Sequence, residues 1–319
     1  MKAFLIRRLI YAVVTLFLVT VSVFFVIRLL PGDPLVVYMA RSAEIEAMSE
    51  EALQQLRREY GLDKPIPIQY INWIANVVRG DFGRSIFYRE SVGKLMLERY
   101  PKTLHLGLLS LALNVMVGLS VGLVAAIRRN KWPDKIFTPL TYLGVTIPTF
   151  WLGVLLIYIF GLRLGWLPIA GYTPPTEDFW LSMKQSIMPV ICLSLWGMAS
   201  NARQMRSSLL EVIQQDYIRT AWSKGLSERE VILKHALKNS LLPVITLMGI
   251  SVSMIFGGSV IVETIFAIPG IGSLLVGSIF GQDYIVVQAI TLIIAIIVLS
   301  VNLLVDISYG LLDPRISYD

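Results

Sequence analysis

The sequence predicts an all-α integral membrane protein with six transmembrane helices. Three observations carry this. Hydrophobic residues make up 55% of the 319 positions, with a mean hydropathy of +0.67. Several apolar runs are long enough to cross about 30 Å of hydrocarbon. Lysine and arginine concentrate in alternate connections, as they do on the cytoplasmic side of a bilayer. The formal net charge of +6 would invite a nucleic-acid partner in a soluble domain, but here the basic residues sort by topology, so no nucleic acid is expected.

The first span is Leu9 to Leu30, about 22 apolar residues behind Lys2, Arg7 and Arg8. A signal peptide would show a shorter apolar core and a small-residue cleavage site before the turn at Leu29 to Pro34. Arg28 can reach the interface from the end of the helix. Pro31 to Lys102 then forms an extracytoplasmic insertion with helical patterns of its own. Ser49 can cap a helix through Tyr60 that is stopped by Gly61, Pro65 and Pro67. Ile68, Ile71, Ile74, Ala75 and Val78 mark a second amphipathic segment ending near Gly80. The plain expectation for this insertion is a folded surface lid, with a specific binding role as the alternative.

Spans two to six are expected at about 104–127, 137–162, 186–206, 241–262 and 284–309. The second carries Gly118 and Gly122 at the spacing that admits a neighbouring helix. Prolines Pro139 and Pro148 interrupt the third and are expected to bend it. The fourth has the shortest strictly apolar core, Ile187 to Ala199, which points to a tilted helix continuing into the cytoplasm through Arg203 and Arg206. The fifth places Gly249, Ser253 and Gly257 on one face. Between the last two spans, Val262 to Leu275 has the composition of a re-entrant loop near a pore mouth, with Glu263, Pro269 and Gly270 as pore-mouth candidates. Basic residues at the N-terminus and after spans two and four place both termini in the cytoplasm. The chain divides accordingly into residues 1–102, the first span plus insertion, and residues 103–319, a five-helix core.

Between spans four and five, residues 208–240 form a charged helix-turn-helix. Leu210, Ile213, Tyr217 and Ala221 fall at helical spacing. Lys224 followed by Gly225 closes that helix with a cation at its negative end and a residue able to adopt the left-handed conformation. Ser227 with Glu230 is a capping box, and Leu226 with Val231 a hydrophobic staple, for a second helix through Leu233, Ala236, Leu237 and Leu241 to Pro243. A DNA-binding reading fails because apolar spans flank the motif on both sides. The residues alone favour a solvated basic loop with two amphipathic helices.

The string from Arg219 to Val244, RTAWSKGLSEREVILKHALKNSLLPV, resembles the cytoplasmic coupling loop of binding-protein-dependent ABC importer permeases, in the variant of the oligopeptide, dipeptide and nickel branch. The strings GLDKPIPIQYINWI, RGDFGRS, RYPKTL and VETIFAIPGIGSLL resemble the same branch. The general family pattern has an acidic residue and two alanines before its glycine, and here Arg219 and Thr220 depart from it while Ala221 and Gly225 keep it. The resemblance implies that this loop forms the coupling helix, seated in a groove of a separate ATPase. By position it implicates Asp216, Thr220, Ala221, Lys224, Gly225, Leu226 and Ser227. It also implies a homologous second permease subunit, two cytoplasmic ATPase subunits, an extracytoplasmic solute-binding protein, and location in the cytoplasmic membrane. ATP and magnesium would be held by the ATPases and no cofactor by this chain.

No phosphate-binding Gly-Lys loop, metalloprotease helix motif, nucleophile elbow or paired Cys/His cluster occurs, so neither a catalytic residue nor a metal site is expected. Cys192 lies alone in an apolar run. An ion-coupled transporter would need ionisable groups at mid-membrane and usually an internal repeat, and Asn114 is the main strongly polar side chain deep in a span. The resemblance therefore implies, as the expected function, a peptide importer's permease. Nickel, glutathione or oligosaccharide are alternative cargoes, and ion-coupled transport is the alternative class.

Overall fold

The computed structural model describes residues 2–28 and 50–312, all helix, turn and loop apart from one isolated bridge, Arg84 with Ser91. The expected Ser49 cap and the turn at Leu29 to Pro34 lie outside the described residues. The helices are α1 Lys2–Arg28, α2 Glu50–Glu59, α3 Ile66–Val78, α4 Val92–Ile127, α5 Trp132–Thr146, α6 Thr149–Arg163, α7 Phe179–Ile213, α8 Asp216–Ser223, α9 Glu228–Ile265, α10 Ile271–Phe280 and α11 Tyr284–Leu312. Among the described residues, four helices (α1, α4, α9 and α11) are long and apolar enough to cross a membrane, and α5 with α6 adds a fifth if the bent pair is one span. Helix α7 has 35 residues.

The chain forms two compact units, Met1–Pro101 with Gly270–Ile297, and Lys102–Pro269 with Val298–Asp319. In the first, α3 runs along the last turns of α1. Phe24 is fully buried between the rings of Tyr70 and Trp73, with centroids at 5.2 and 5.7 Å. Pro65 and Pro67 do not only stop α2. They stand at the N-cap and in the first turn of α3, where a missing N–H costs nothing. The apolar stripe expected on α3 is not buried: Ile68, Ile71 and Val78 are exposed. A second cluster packs Val92, Leu95, Ile271, Leu274, Val286 and Ile290. It is held by Asp283, which accepts hydrogen bonds from Ser85 Oγ and the Phe87 N–H. Burial pushes the Asp283 carboxyl up, against the lowering effect of these donors.

In the second unit, α7 is the central helix, packed by α5, α6 and α9. Gly118 and Gly122 do what their spacing predicts. A Cβ at Gly118 would stand 2.9 Å from the Met198 carbonyl oxygen, and one at Gly122 would overlap that of Ala202. The stripe on α9 divides: Gly249 packs against Val305, whereas a Cβ at Gly257 would meet nothing within 4 Å.

Three expectations are corrected here. Of the two prolines in span three, only Pro148 breaks the helix, turning α6 by 105° from α5. Ile147, preceding it, is forced to an extended φ/ψ of −70°/122°, while Pro139 is carried inside α5. Helix α4 begins at Val92, well before residue 104, passing through Pro101. The helix after Gly225 does not end at Pro243: α9 runs on through it to Ile265. A single proline removes one ladder bond, which a packed membrane helix tolerates.

Candidate functional site

The segment from the end of α7 to the start of α9 is built from local rules. α7 closes at Gln214, and Gln215 takes an extended conformation (φ −71°, ψ 149°) as N-cap of α8. Asp216 then stands in the first turn, where a carboxylate suits the helix dipole. This break resets the helical phase. Leu210 and Ile213 therefore do not share a face with Tyr217, which is exposed and accepts a hydrogen bond from Asn239 Nδ2 at 2.7 Å. The buried positions of α8 are Ile218 and Ala221, packed with Leu209, Met205 and Ala126. The small side chain of Ala221 thus permits close approach of the chain's own helices.

Gly225 has φ +79° and open space where a Cβ would stand, so its backbone angle and not crowding calls for glycine. Its N–H bonds the Trp222 carbonyl at 2.9 Å. Leu226, half-buried, and Val231, fully buried, close the staple. Ser227 Oγ accepts from the Glu230 N–H at 3.4 Å and donates to its carboxylate at 3.0 Å. Residues 231–236 then widen into π-helical turns. That shift buries Val231, Ile232 and Ala236 and leaves Leu233 outside, against the spacing expected of an α-helix.

The outer face of this segment carries Asp216, Arg219, Thr220, Trp222, Lys224, Gly225 and Ser227, all exposed. The Thr220 hydroxyl is committed to the Asp216 carbonyl of its own helix, at 3.0 Å. The Arg219–Asp216 pair, at 3.6 Å and highly exposed, contributes little. Trp222 is 41% exposed and was missed by sequence reasoning. Its signal is that Ile218 and Ala221 take the inner face of an eight-residue helix, leaving a large aromatic outside.

A second feature missed in the sequence lies on α5 and α7. Asp134, nearly buried, accepts a forked pair of bonds from Arg206, Nε at 2.7 Å and Nη2 at 2.9 Å. It also accepts from the Asn130 N–H and the Thr138 hydroxyl. The pair ties the start of α5 to α7 two turns before the latter ends.

Of the pore-mouth candidates, Glu263 is fully buried in this chain and accepts from Thr103 Oγ1 at 2.6 Å. Pro269 is exposed and Gly270 is buried as N-cap of α10. A cavity of about 260 Å³ opens instead beside Asn114, Thr149, Trp196, Gly197, Ser251 and Gly257. Asn201 Nδ2 donates to Asn114 Oδ1 at 2.7 Å and so orients that amide. A Cβ at Gly197 would overlap the Asn114 amide. Gly197→Ala is therefore expected to displace Asn114 and cost about 1–3 kcal/mol, read as a lowered melting temperature in detergent. An unchanged melting temperature would show that Asn114 rearranges freely.

Comparison with known proteins fits this arrangement. Residues 118–318 match the family described as binding-protein-dependent transport system inner membrane component, and residues 1–107 match its N-terminal family. A putative peptide transport system permease protein of Brucella abortus is 40% identical over 319 residues, covering 100% of both chains. A probable peptide ABC transporter permease protein of Sinorhizobium fredii is 37% identical, again over 100% of both chains. The glutathione transport system permease protein GsiC of Escherichia coli is 38% identical over the same share. In fold, the chain is similar to the inward-facing MetNI methionine ABC transporter, with a TM-score of 0.57 at 18% identity over 69% of this chain and 96% of the other. The chain belongs to the family of binding-protein-dependent transport system inner membrane components.

Proposed function

We propose that this chain is the permease subunit of an ATP-driven importer of peptides, forming half of a translocation pathway across the cytoplasmic membrane. The observation that carries the reading is α8. One face is locked into the chain's own core by Ile218 and Ala221, and the other offers Asp216, Arg219, Trp222 and Lys224 beside a glycine turn. Exposed tryptophan and arginine are the residue types that dominate docking energies, and flanking charges set register. An ATPase subunit docks there, with Thr220, Gly225, Leu226 and Ser227 framing the contact. This chain then needs no catalytic residue, since ATP and magnesium are bound by that partner.

In this reading α7 supplies the sixth span: 35 residues reach about 50 Å, so its apolar centre crosses while its end protrudes towards α8. Both termini are cytoplasmic, supported by Arg7 and Arg8, by Arg128 to Lys135, and by Arg203 to Lys224. Residues 1–102 provide the first span and an extracytoplasmic insertion, and residues 103–319 the core. A homologous second permease completes the path, two ATPases drive it, and a solute-binding protein delivers cargo. Peptide is preferred as cargo because full-length relatives carry that name, with glutathione, itself a peptide, among them.

The test is uptake of a labelled dipeptide by proteoliposomes holding the assembled complex and its binding protein. Accumulation is expected only with ATP on the coupling-loop side. Accumulation under an ion gradient with nucleotide removed would overturn the reading in favour of ion-coupled transport.

A further inference from the structure

Helix α3 is fastened to the last turns of α1 at three depths. Tyr70 Oη and Thr20 Oγ1 are 3.0 Å apart, the Tyr70 and Trp73 rings enclose Phe24, and Gln69 Oε1 accepts from Arg28 Nε and Nη2 at 3.1 and 2.9 Å. Arg28 ends α1, so Thr20, eight residues earlier, lies about 12 Å deeper along the helix axis. A helix bonded at Thr20 is therefore sunk into the outer leaflet and not perched above it. Its exposed stripe of Ile68, Ile71 and Val78 agrees, since Ile71 is 64% and Val78 81% exposed. Helix α1 leaves Phe17, Leu18, Phe25 and Val26 exposed as well.

Beside α3 lies a cavity of about 630 Å³ whose lining includes Arg28, Arg58, Lys64, Arg79 and Arg84 against the two carboxylates Glu59 and Asp81. Asp81 is already engaged with the Gly83 N–H at 2.9 Å. Two buried N–H donors line the same space without an acceptor: Trp73 Nε1 and Gln288 Nε2, the latter on a residue only 2% exposed. Leaving such donors unpaired costs about 1–3 kcal/mol each. A cavity rich in donors and cations, at the outer end of a span and next to an apolar stripe, has the chemistry of an amphiphile with an anionic oxygen head.

We propose that this cavity holds the phosphate of an acidic phospholipid of the outer leaflet, with its acyl chains along Ile68, Ile71 and Val78. The excess of basic over acidic side chains favours an acidic head over a zwitterionic one, and the stripe favours a lipid over a free anion. The inference rests on α1 crossing the membrane with its N-terminus in the cytoplasm, as proposed above, and not on the cargo, so failure of dipeptide uptake would leave it standing.

The test uses the complex with its partner subunits, incubated in detergent with phosphatidylglycerol, phosphatidylcholine, diacylglycerol or inorganic phosphate and weighed intact by native mass spectrometry. Phosphatidylglycerol retained on wild type, and lost at least tenfold in Gln288→Leu combined with Trp73→Phe, supports the site. Equal retention by the variant, equal retention of diacylglycerol, or displacement of the lipid by inorganic phosphate alone overturns it. A spin label at Ile71→Cys in a Cys192→Ala background gives an independent readout in membranes. Greater relaxation by oxygen than by a water-soluble nickel chelate is expected, and the reverse would place α3 in water and overturn the proposal.

Discussion

Replacing Gly122 by valine is expected to force α4 away from α7 and to cost on the order of 3 kcal/mol, the upper range for overpacking. A Cβ there would overlap the carbonyl oxygen of Ala202 and lie 2.7 Å from the Met205 Cβ. Backbone opposes the new atom, so no side-chain rotation relieves the clash. In a bilayer, where lipid is as apolar as leucine, close approach of this kind is a principal source of helix association. Met205 belongs to the cluster that also buries Ile218 and Ala221 of α8, so the displacement would reach α8. The measurement is thermal loss of the monodisperse peak in size-exclusion chromatography. Gly118→Ala, facing a carbonyl at 2.9 Å, should produce a smaller loss, and equal stability of Gly122→Val and wild type would contradict the packing.

The second large effect is expected at Asp134. Asp134→Asn keeps the shape but leaves Arg206 facing a neutral amide, one of whose two polar ends repels the guanidinium. Breaking a fully buried pair costs about 3–5 kcal/mol, but Arg206 is 27% exposed and water recovers part of the loss, so about 2 kcal/mol is expected. Arg206→Lys should fall between, since an ammonium cannot reproduce the two parallel bonds. The same pair links α5 to the helix that leads into α8, so peptide moved per ATP hydrolysed should fall further than stability alone explains. Parallel measurement of ATP hydrolysis and uptake in proteoliposomes checks this. A full coupling ratio in Asp134→Asn would limit the pair to holding the fold.

Much of this was legible because it is written in neighbouring residues. The Lys224–Gly225 stop, the Ser227 cap, the Leu226–Val231 staple and the Pro148 bend each depend on groups within a turn or two, or on one backbone angle, and the Gly118/Gly122 spacing marks a close approach without naming its partner helix. The phase change at Gln214 and Gln215 was not legible, because neither residue is a glycine or proline and the helix pattern reads through them. The π-helical turns at 231–236 were hidden for the same reason: side-chain spacing cannot announce a change in residues per turn. Asp134 with Arg206, and Ser85 with Asp283, are separated by 72 and 198 residues, so their pairing has no local signature. Pro243 and Pro139 were overweighted, since a proline in a packed membrane helix costs a bond without ending it. The place of Glu263 at a span end was legible, but Thr103, the group it is buried against, lies 160 residues away and has no local signature.

The measurement that bears most directly on the central claim is recovery of the ATPase subunits with the tagged chain, gently solubilised from its membrane, in wild type, Gly225→Asn and Gly225→Arg. Asparagine tolerates φ +79° better than other side chains, so it separates backbone strain from occlusion of the surface. Docking on α8 and its glycine turn predicts that wild type and Gly225→Asn retain the ATPases together with a second permease, while Gly225→Arg keeps the permease partner and loses the ATPases at least tenfold. Retention of the ATPases by Gly225→Arg at the wild-type level would contradict the docking surface.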